Sequence, residues 1–490
     1  DPIGDWDNRY TGDFDGGGHI ISGLTINRAG FCRVGLFGAV SGSHISHIGL
    51  QNVSIRGQYS VAGLVGQGFN NSQISQSYVQ GDIVGSTSTG GLAGRFNGII
   101  EHSYSSGDVE SSGICAGGLA GDMAGQIRDS YSTASVKGMR DYVGGLVGEM
   151  NGSISRSYAT GRVEGLESVG GLVGSNFGSI DQSYATGSVY GSTDEVLGGV
   201  GGLVGTNGNG GAISESYATG SVEGESFVGG LVGWNYGSIN QSYAIGSVYG
   251  SLHFIGGLVG IVSTGTLTNS YWNTETSGQT MATGSGAHTG ASGLTTEQMM
   301  RVDSFAGWDI DAQGGTGSAW RIYEGYTAPL LRSFLAALNV NGGDTTTTYD
   351  GTEQRGSWSA TGDYDADQIF GQVSGGRNAG TYDVDMSGLY SGQQGYDLIT
   401  TDGTLTIERK AITGNITAGD KTYDGTRDAA TGGTLDGVIA GDDIQFDTEG
   451  AFADKSAGDD KQVDVNGSLS GIDAGNYELS TNDTTTADID

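Results

Sequence analysis

The sequence predicts an all-β chain: a right-handed-type β-solenoid of about nine rungs with end caps, followed by two small β-sandwich modules. Three observations carry this. Gly-Leu-x-Gly recurs nine times, from Gly35 to Gly257, at intervals of 26 to 31 residues. Glycine is abundant and proline nearly absent, 95 against 2 of 490 residues. That ratio suits many tight turns between short strands and excludes collagen and proline-rich linkers. The last third then switches to alternating strand patterns of a different kind.

Residues 1–34 lead into the array and form its first cap. Residues 35–275 are the array itself. Each repeat reads as three short strands, seen in one copy as Gly145-Leu146-Val147-Gly148, then Ser153-Ile154-Ser155-Arg156-Ser157-Tyr158-Ala159, then Val163. Gly, Asn and Ser punctuate strands too short to be helices. One such unit cannot bury its own apolar face, so the units must stack. At about 4.8 Å per rung, nine rungs give a rod of roughly 40 Å. Leu146, Val147, Ile154, Tyr158 and Val163, with their equivalents, are expected to point inward.

Both cysteines, Cys32 and Cys115, stand three residues before a Gly-Leu-x-Gly, three repeats apart. Stacking separates them by about 14 Å, beyond the roughly 7 Å reach of a disulfide, so free thiols are expected.

Residues 276–336 form the second cap and a connector. Thr295-Thr296-Glu297-Gln298 is a capping-box pattern and predicts a short helix there. The solenoid end needs such a cover, because it exposes unpaired strand edges.

Residues 337–409 and 410–490 are two related modules. Thr348-Tyr349-Asp350-Gly351-Thr352 in the first matches Thr422-Tyr423-Asp424-Gly425-Thr426 in the second. Asn378-Ala379-Gly380-Thr381-Tyr382 looks like Asp473-Ala474-Gly475-Asn476-Tyr477. Runs such as Thr404-Leu405-Thr406-Ile407-Glu408 alternate as half-buried strands do, which suits small β-sandwiches.

The net charge of −34 disfavours nucleic acid and anionic lipid as partners. No apolar run approaches the roughly 20 residues needed to span a bilayer. The acidity concentrates in residues 341–490, with 28 Asp and Glu against 8 Lys and Arg. No cofactor is required by any motif. Calcium is the one inorganic partner considered, with Asp424, Asp442, Asp443, Asp454, Asp459 and Asp460 as candidate oxygens. Their spacing matches no EF-hand, and a solvated acidic surface is the favoured explanation.

Polysaccharide-degrading enzymes need clustered carboxylates, and none is evident in the array. The six histidines form no metal motif. The chain is therefore expected not to be an enzyme. Sugar binding would use exposed aromatic side chains with nearby amides. The turn after Gly-Leu-x-Gly supplies Phe69, Phe96, Phe177, Trp234, Asn235 and Tyr236 as candidates. Packing inside the solenoid or over its corner is the competing and favoured explanation for them.

The Gly-Leu-x-Gly and Ser-Tyr-Ala-Thr-Gly-x-Val pattern resembles the GLUG repeat of bacterial surface proteins, over roughly residues 10–275. The two later modules resemble the YDG and MBG-type repeats of large adhesins of the filamentous haemagglutinin-like group. The resemblance implies a secreted or cell-surface adhesin or biofilm-matrix segment, with the later modules as a stalk. Its partners would be polysaccharide or a cell-surface glycan or protein, with no membrane insertion by this segment. Self-association into an extracellular fibre is the alternative function, and a polysaccharide-degrading β-helix the second alternative.

Overall fold

A computed structural model describes residues 1–192, 198–286 and 288–490. The chain divides into two compact units. One holds Asp1–Ala312 and Thr316–Leu335; the other holds Gln313–Gly315 and Ala336–Asp490.

The first unit is a β-solenoid with three parallel sheets. One runs from Phe37–Ser41 through Val147–Ser155 to Val259–Val262. A second has nine strands, from Cys32–Val34 to Ile255–Gly256. The third carries the Ser-Tyr-Ala and Val segments. Register is maintained like upon like: Tyr131 pairs with Tyr158, Ile127 with Ile154, and Val136 with Val163. Identical side chains therefore form columns along the axis. The leucines of the Gly-Leu-x-Gly turns, Leu64 through Leu258, are fully buried in one core with the valine and isoleucine columns.

The glycines make room where rungs fold close. A Cβ on Gly148 would lie 2.6 Å from the Gly121 carbonyl oxygen and 2.8 Å from the Ala116 nitrogen. The serine before each tyrosine has its own role. Ser157 accepts the Ser130 N–H at 3.2 Å and donates to the Ser155 carbonyl at 2.9 Å. The same pair of bonds recurs rung after rung from Ser77 to Ser270, so each turn's buried polar groups are satisfied.

Four expectations need correction. First, Tyr158 and its equivalents face outward, and the following alanines, such as Ala159 and Ala185, enter the core. The rings still stack, at 4.8–4.9 Å between centroids and 2–6° between planes, from Tyr78 to Tyr243.

Second, residues 276–336 do more than close an end. Ala291–Leu294 pairs with Ser270–Asn273 and extends the last rung. The chain then turns back along the tyrosine column. Phe305 and Trp308 meet Tyr271, Trp320 meets Tyr243 and Tyr217, and Phe334 meets Tyr184 and Tyr158. The helix Thr296–Met299 starts this return and has both capping-box hydrogen bonds. At the other end, Phe14–Asp15, Ile20–Ser22 and Thr25–Asn27 pair with the first repeat as an added rung.

Third, Cys32 and Cys115 do not share a column. Cys32 pairs with Tyr59, whereas Cys115 aligns with Ser88, because the first repeat is one residue shorter between Val34 and Gly35. Both thiols are free, Cys32 exposed and Cys115 buried.

Fourth, the look-alike phrases of the two later modules occupy different places. Both modules contain a parallel pairing, of Ala336–Gly342 with Tyr396–Thr401 in the first and of Lys410–Ala418 with Tyr477–Thr481 in the second. Tyr477 therefore corresponds to Tyr396, not Tyr382. Gly380 opens the strand Gly380–Val384, as Gly458 opens Gly458–Ser470. Each module is built on two three-stranded sheets. In the second, Ile416 from one sheet packs with Phe452, Val463, Val465, Ala487 and Ile489 from the other.

Candidate functional site

Two adjoining columns on one flank of the solenoid change chemistry from rung to rung while the core stays constant. The first holds Arg33, Ser60, Ser88, Cys115, Tyr142, Ser168, Phe227 and Phe254, all with φ between 50° and 65°. That left-handed conformation, rare outside glycine, turns the chain outward at the corner. The second is the outward position of the neighbouring strand: Gln67, Arg95, Asp122, Glu149, Ser175, Thr206, Trp234 and Ile261 in register.

Side chains interact across the two columns and along them. Arg33 donates to Gln67 at 2.8 Å. Arg95 pairs with Asp122 at 3.0 Å, and the Cys115 thiol lies 3.6 Å from a Glu149 oxygen. Burial, with Glu149 and Asp122 beside it, pushes the Cys115 thiol well up, so it is an unreactive thiol. Ser168 and Thr206 hydroxyls share a hydrogen bond at 2.9 Å.

On the last rungs the flank becomes aromatic. Phe254 stacks on Phe227 at 5.1 Å, Phe227 on Trp234 at 5.0 Å, and Trp234 on Tyr236 at 5.2 Å. Trp234 Nε1 donates to Ser263 Oγ at 2.7 Å, which fixes the indole. Phe254 is 38% exposed and the other three rings are half-buried. The result is one continuous apolar strip with hydroxyls at its border.

The sequence candidates do not lie together. Trp234 and Tyr236 belong to the aromatic row. Asn235 lies between them but is fully buried, because alternate residues of a strand face opposite ways. It ends an internal ladder in which Asn176 donates to Asn207 at 2.9 Å and Asn207 donates to Asn235 at 2.8 Å. Phe96 shares that inward column, pairing with Met123, and is 1% exposed. Phe69 sits in an insertion relative to the next rung, where Trp6 and the Arg9 guanidinium cover it. Phe177 is exposed and lies over Gly208, away from the row's stacking pairs. Phe227 and Phe254 were the residues missed; the signal was an aromatic at the same offset before two successive Gly-Leu-x-Gly turns.

The acidic candidates are dispersed. Lys421 and Thr426 hold the Asp424 carboxylate, lowering its pKa to about 2. Lys461 does the same for Asp454, also to about 2. Asp442 is buried and accepts hydroxyl hydrogen bonds from Tyr349 at 2.8 Å and Tyr477 at 2.5 Å. Asp443 is exposed and receives no support from these groups; Asp459 and Asp460 lie on the strand Gly458–Ser470. Among the described residues no three His, Cys, Asp or Glu side chains gather as a metal site.

Two family models match parts of the chain. Residues 408–487 match the YDG domain, and residues 165–190 and 197–223 match the GLUG motif. The chain thus carries both module types. Halomucin from Haloquadratum walsbyi is 37% identical over 102 residues, which is 20% of this chain and 1% of that protein. A crystal structure from Bacteroides ovatus, of a protein proposed to be an immunoglobulin A1 protease, is 20% identical. It aligns over 67% of this chain and 80% of its own, with a TM-score of 0.28. The two module types and the halomucin relative point to a surface-associated, adhesin-like protein.

Proposed function

We propose that this chain is a segment of an extracellular attachment protein whose solenoid binds neutral polysaccharide along the aromatic row Phe254–Phe227–Trp234–Tyr236. The row is the observation that carries the reading. Buried side chains elsewhere in the unit are tied into ladders, whereas this row leaves apolar surface in water on an otherwise polar flank. Apolar strips with bordering hydroxyls suit the C–H faces and hydroxyls of sugar rings. A net charge of −34 favours neutral over anionic chains. Individual contacts are weak, and a long polymer engaging many molecules gains by multivalency. The YDG modules act as spacer. The activity is binding, without bond cleavage and without a required cofactor.

The test is retention of the purified chain on cellulose, chitin and alginate, with and without chelator. Retention on a neutral polymer, insensitive to chelator and without release of reducing or unsaturated ends, is the expected result. Retention on none, or release of new chain ends, overturns the reading.

A further inference from the structure

The two YDG-type modules meet at a built joint. The first contributes a plug: Tyr349, Gly351, Arg377 and Ala379. The second contributes a socket: Ile439, Asp442, Asn476 and Tyr477. The Tyr349 hydroxyl donates to buried Asp442, and its ring packs edge-on against Tyr477 at 5.6 Å. Arg377 lies 4.0 Å from the same carboxylate and donates to the Gly351 carbonyl at 3.0 Å. The Ala379 N–H donates to Asn476 Oδ1 at 2.8 Å. Ile439 packs over Gly351, which has φ +81°.

The second module repeats the plug. The Tyr349 N–H donates to the Glu408 carbonyl, and the Tyr423 N–H donates to that of Asp490, both at 2.9 Å. Asp350 and Asp424 each brace their own loop through Thr352 and Thr426. Gly425 has φ +78°, as Gly351 has +81°. Lys455 and Ala457 precede Gly458 as Arg377 and Ala379 precede or adjoin Gly380. Yet Tyr349 is 1% exposed and Tyr423 55%. Nothing lies within 4 Å of a Cβ placed on Gly425. Lys455 and Ala457 are exposed.

We propose that Tyr423, Gly425, Lys455 and Ala457 form a docking surface for a further YDG-type module with an unfilled Asp–Tyr socket, joined in the same chain order as the second module is to the first. The Tyr423 hydroxyl would donate to that module's buried aspartate, as Tyr349 donates to Asp442. A second copy of this chain is a poor occupant, because its own Asp442 socket is already filled by Tyr349. This proposal is independent of polysaccharide binding.

The experiment extends the full chain by repeating residues 409–490 after Asp490 and labels tyrosines with hydroxyl radicals. In the unextended chain, Tyr423 should label strongly and Tyr349 weakly. In the extended chain, the first Tyr423 should fall to the level of Tyr349. Asp442→Ala confined to the added copy should restore its labelling, while Tyr349 stays protected as the folding control. A second variant, Asp442→Asn in the added copy, guards against misfolding and should restore labelling in part. Unchanged labelling of Tyr423 in the extended chain, with protected core tyrosines in both copies, overturns the proposal. So does protection of Tyr423 in the unextended chain accompanied by dimers in sedimentation.

Discussion

The Tyr243 hydroxyl donates a 2.6 Å hydrogen bond to the carbonyl of Pro329, 86 residues further along the chain. This bond fastens the returning segment to the outer tyrosine column, where Trp308 and Trp320 also pack on the Tyr243 ring. Removing the hydroxyl leaves a buried carbonyl without that partner. Tyr243→Phe should cost about 1–3 kcal/mol, by the usual penalty for such a loss. Hydrogen exchange should quicken in residues 299–334 before it does in the leucine columns of the core.

The same burial sets a pH dependence. Burial pushes the Tyr217 and Tyr243 phenols well up, and Tyr271 is raised too. Tyr477 is pushed up to about 12 by burial and the Asp442 hydrogen bond. A folded value above the unfolded one, about 10, gives a contribution that is complete below pH 10. It is lost as pH rises through the folded value. Absorbance at 295 nm should therefore show exposed tyrosines ionising first, with these four following only as the cover and the joint open.

Gly148 and Gly432 should respond oppositely to alanine. A methyl group at Gly148 meets backbone of neighbouring rungs, so Gly148→Ala should destabilise the solenoid by about 1–3 kcal/mol, the usual cost of overpacking. Gly432 has open space around it and no left-handed φ. Gly432→Ala should be neutral or stabilising by about 0.4–1 kcal/mol through the unfolded chain. Calorimetry of the two variants decides both.

The asparagine ladder is tested at its middle. Asn207 is the middle member, bonded to Asn176 on one side and Asn235 on the other. Asn207→Ala strands a buried group on each neighbour, at about 1–3 kcal/mol apiece. The melting temperature should fall more than for Asn235→Ala, which breaks one link.

The period of the chain made much of this legible. Nine copies of Gly-Leu-x-Gly fixed the stacking, and the buried Leu64-to-Leu258 column follows directly from it. The direction of Tyr158 was not legible. Its strand has two residues, Tyr158 and Ala159, and either parity suits a two-residue run. The inward choice falls to alanine, and the tyrosine is covered by a segment more than 120 residues away. Phe96 and Asn235 were misplaced for a related reason. Both stand five residues after the first glycine of their Gly-Leu-x-Gly, an inward position of the strand, whereas Phe177 and Tyr236 stand six after it. The aromatic row is not legible because Phe227 stands at the corner and Trp234 on the strand Val232–Asn235, and the two meet only when the corner folds.

The central claim is that this row holds polysaccharide. Binding isotherms of the full chain on the neutral polymer that retains it should be compared with those of Trp234→Ala and Phe177→Ala. Loss of binding in the first variant with an unchanged isotherm in the second, both folded by circular dichroism, is the expected result. Equal binding by Trp234→Ala and the parent chain would contradict the account.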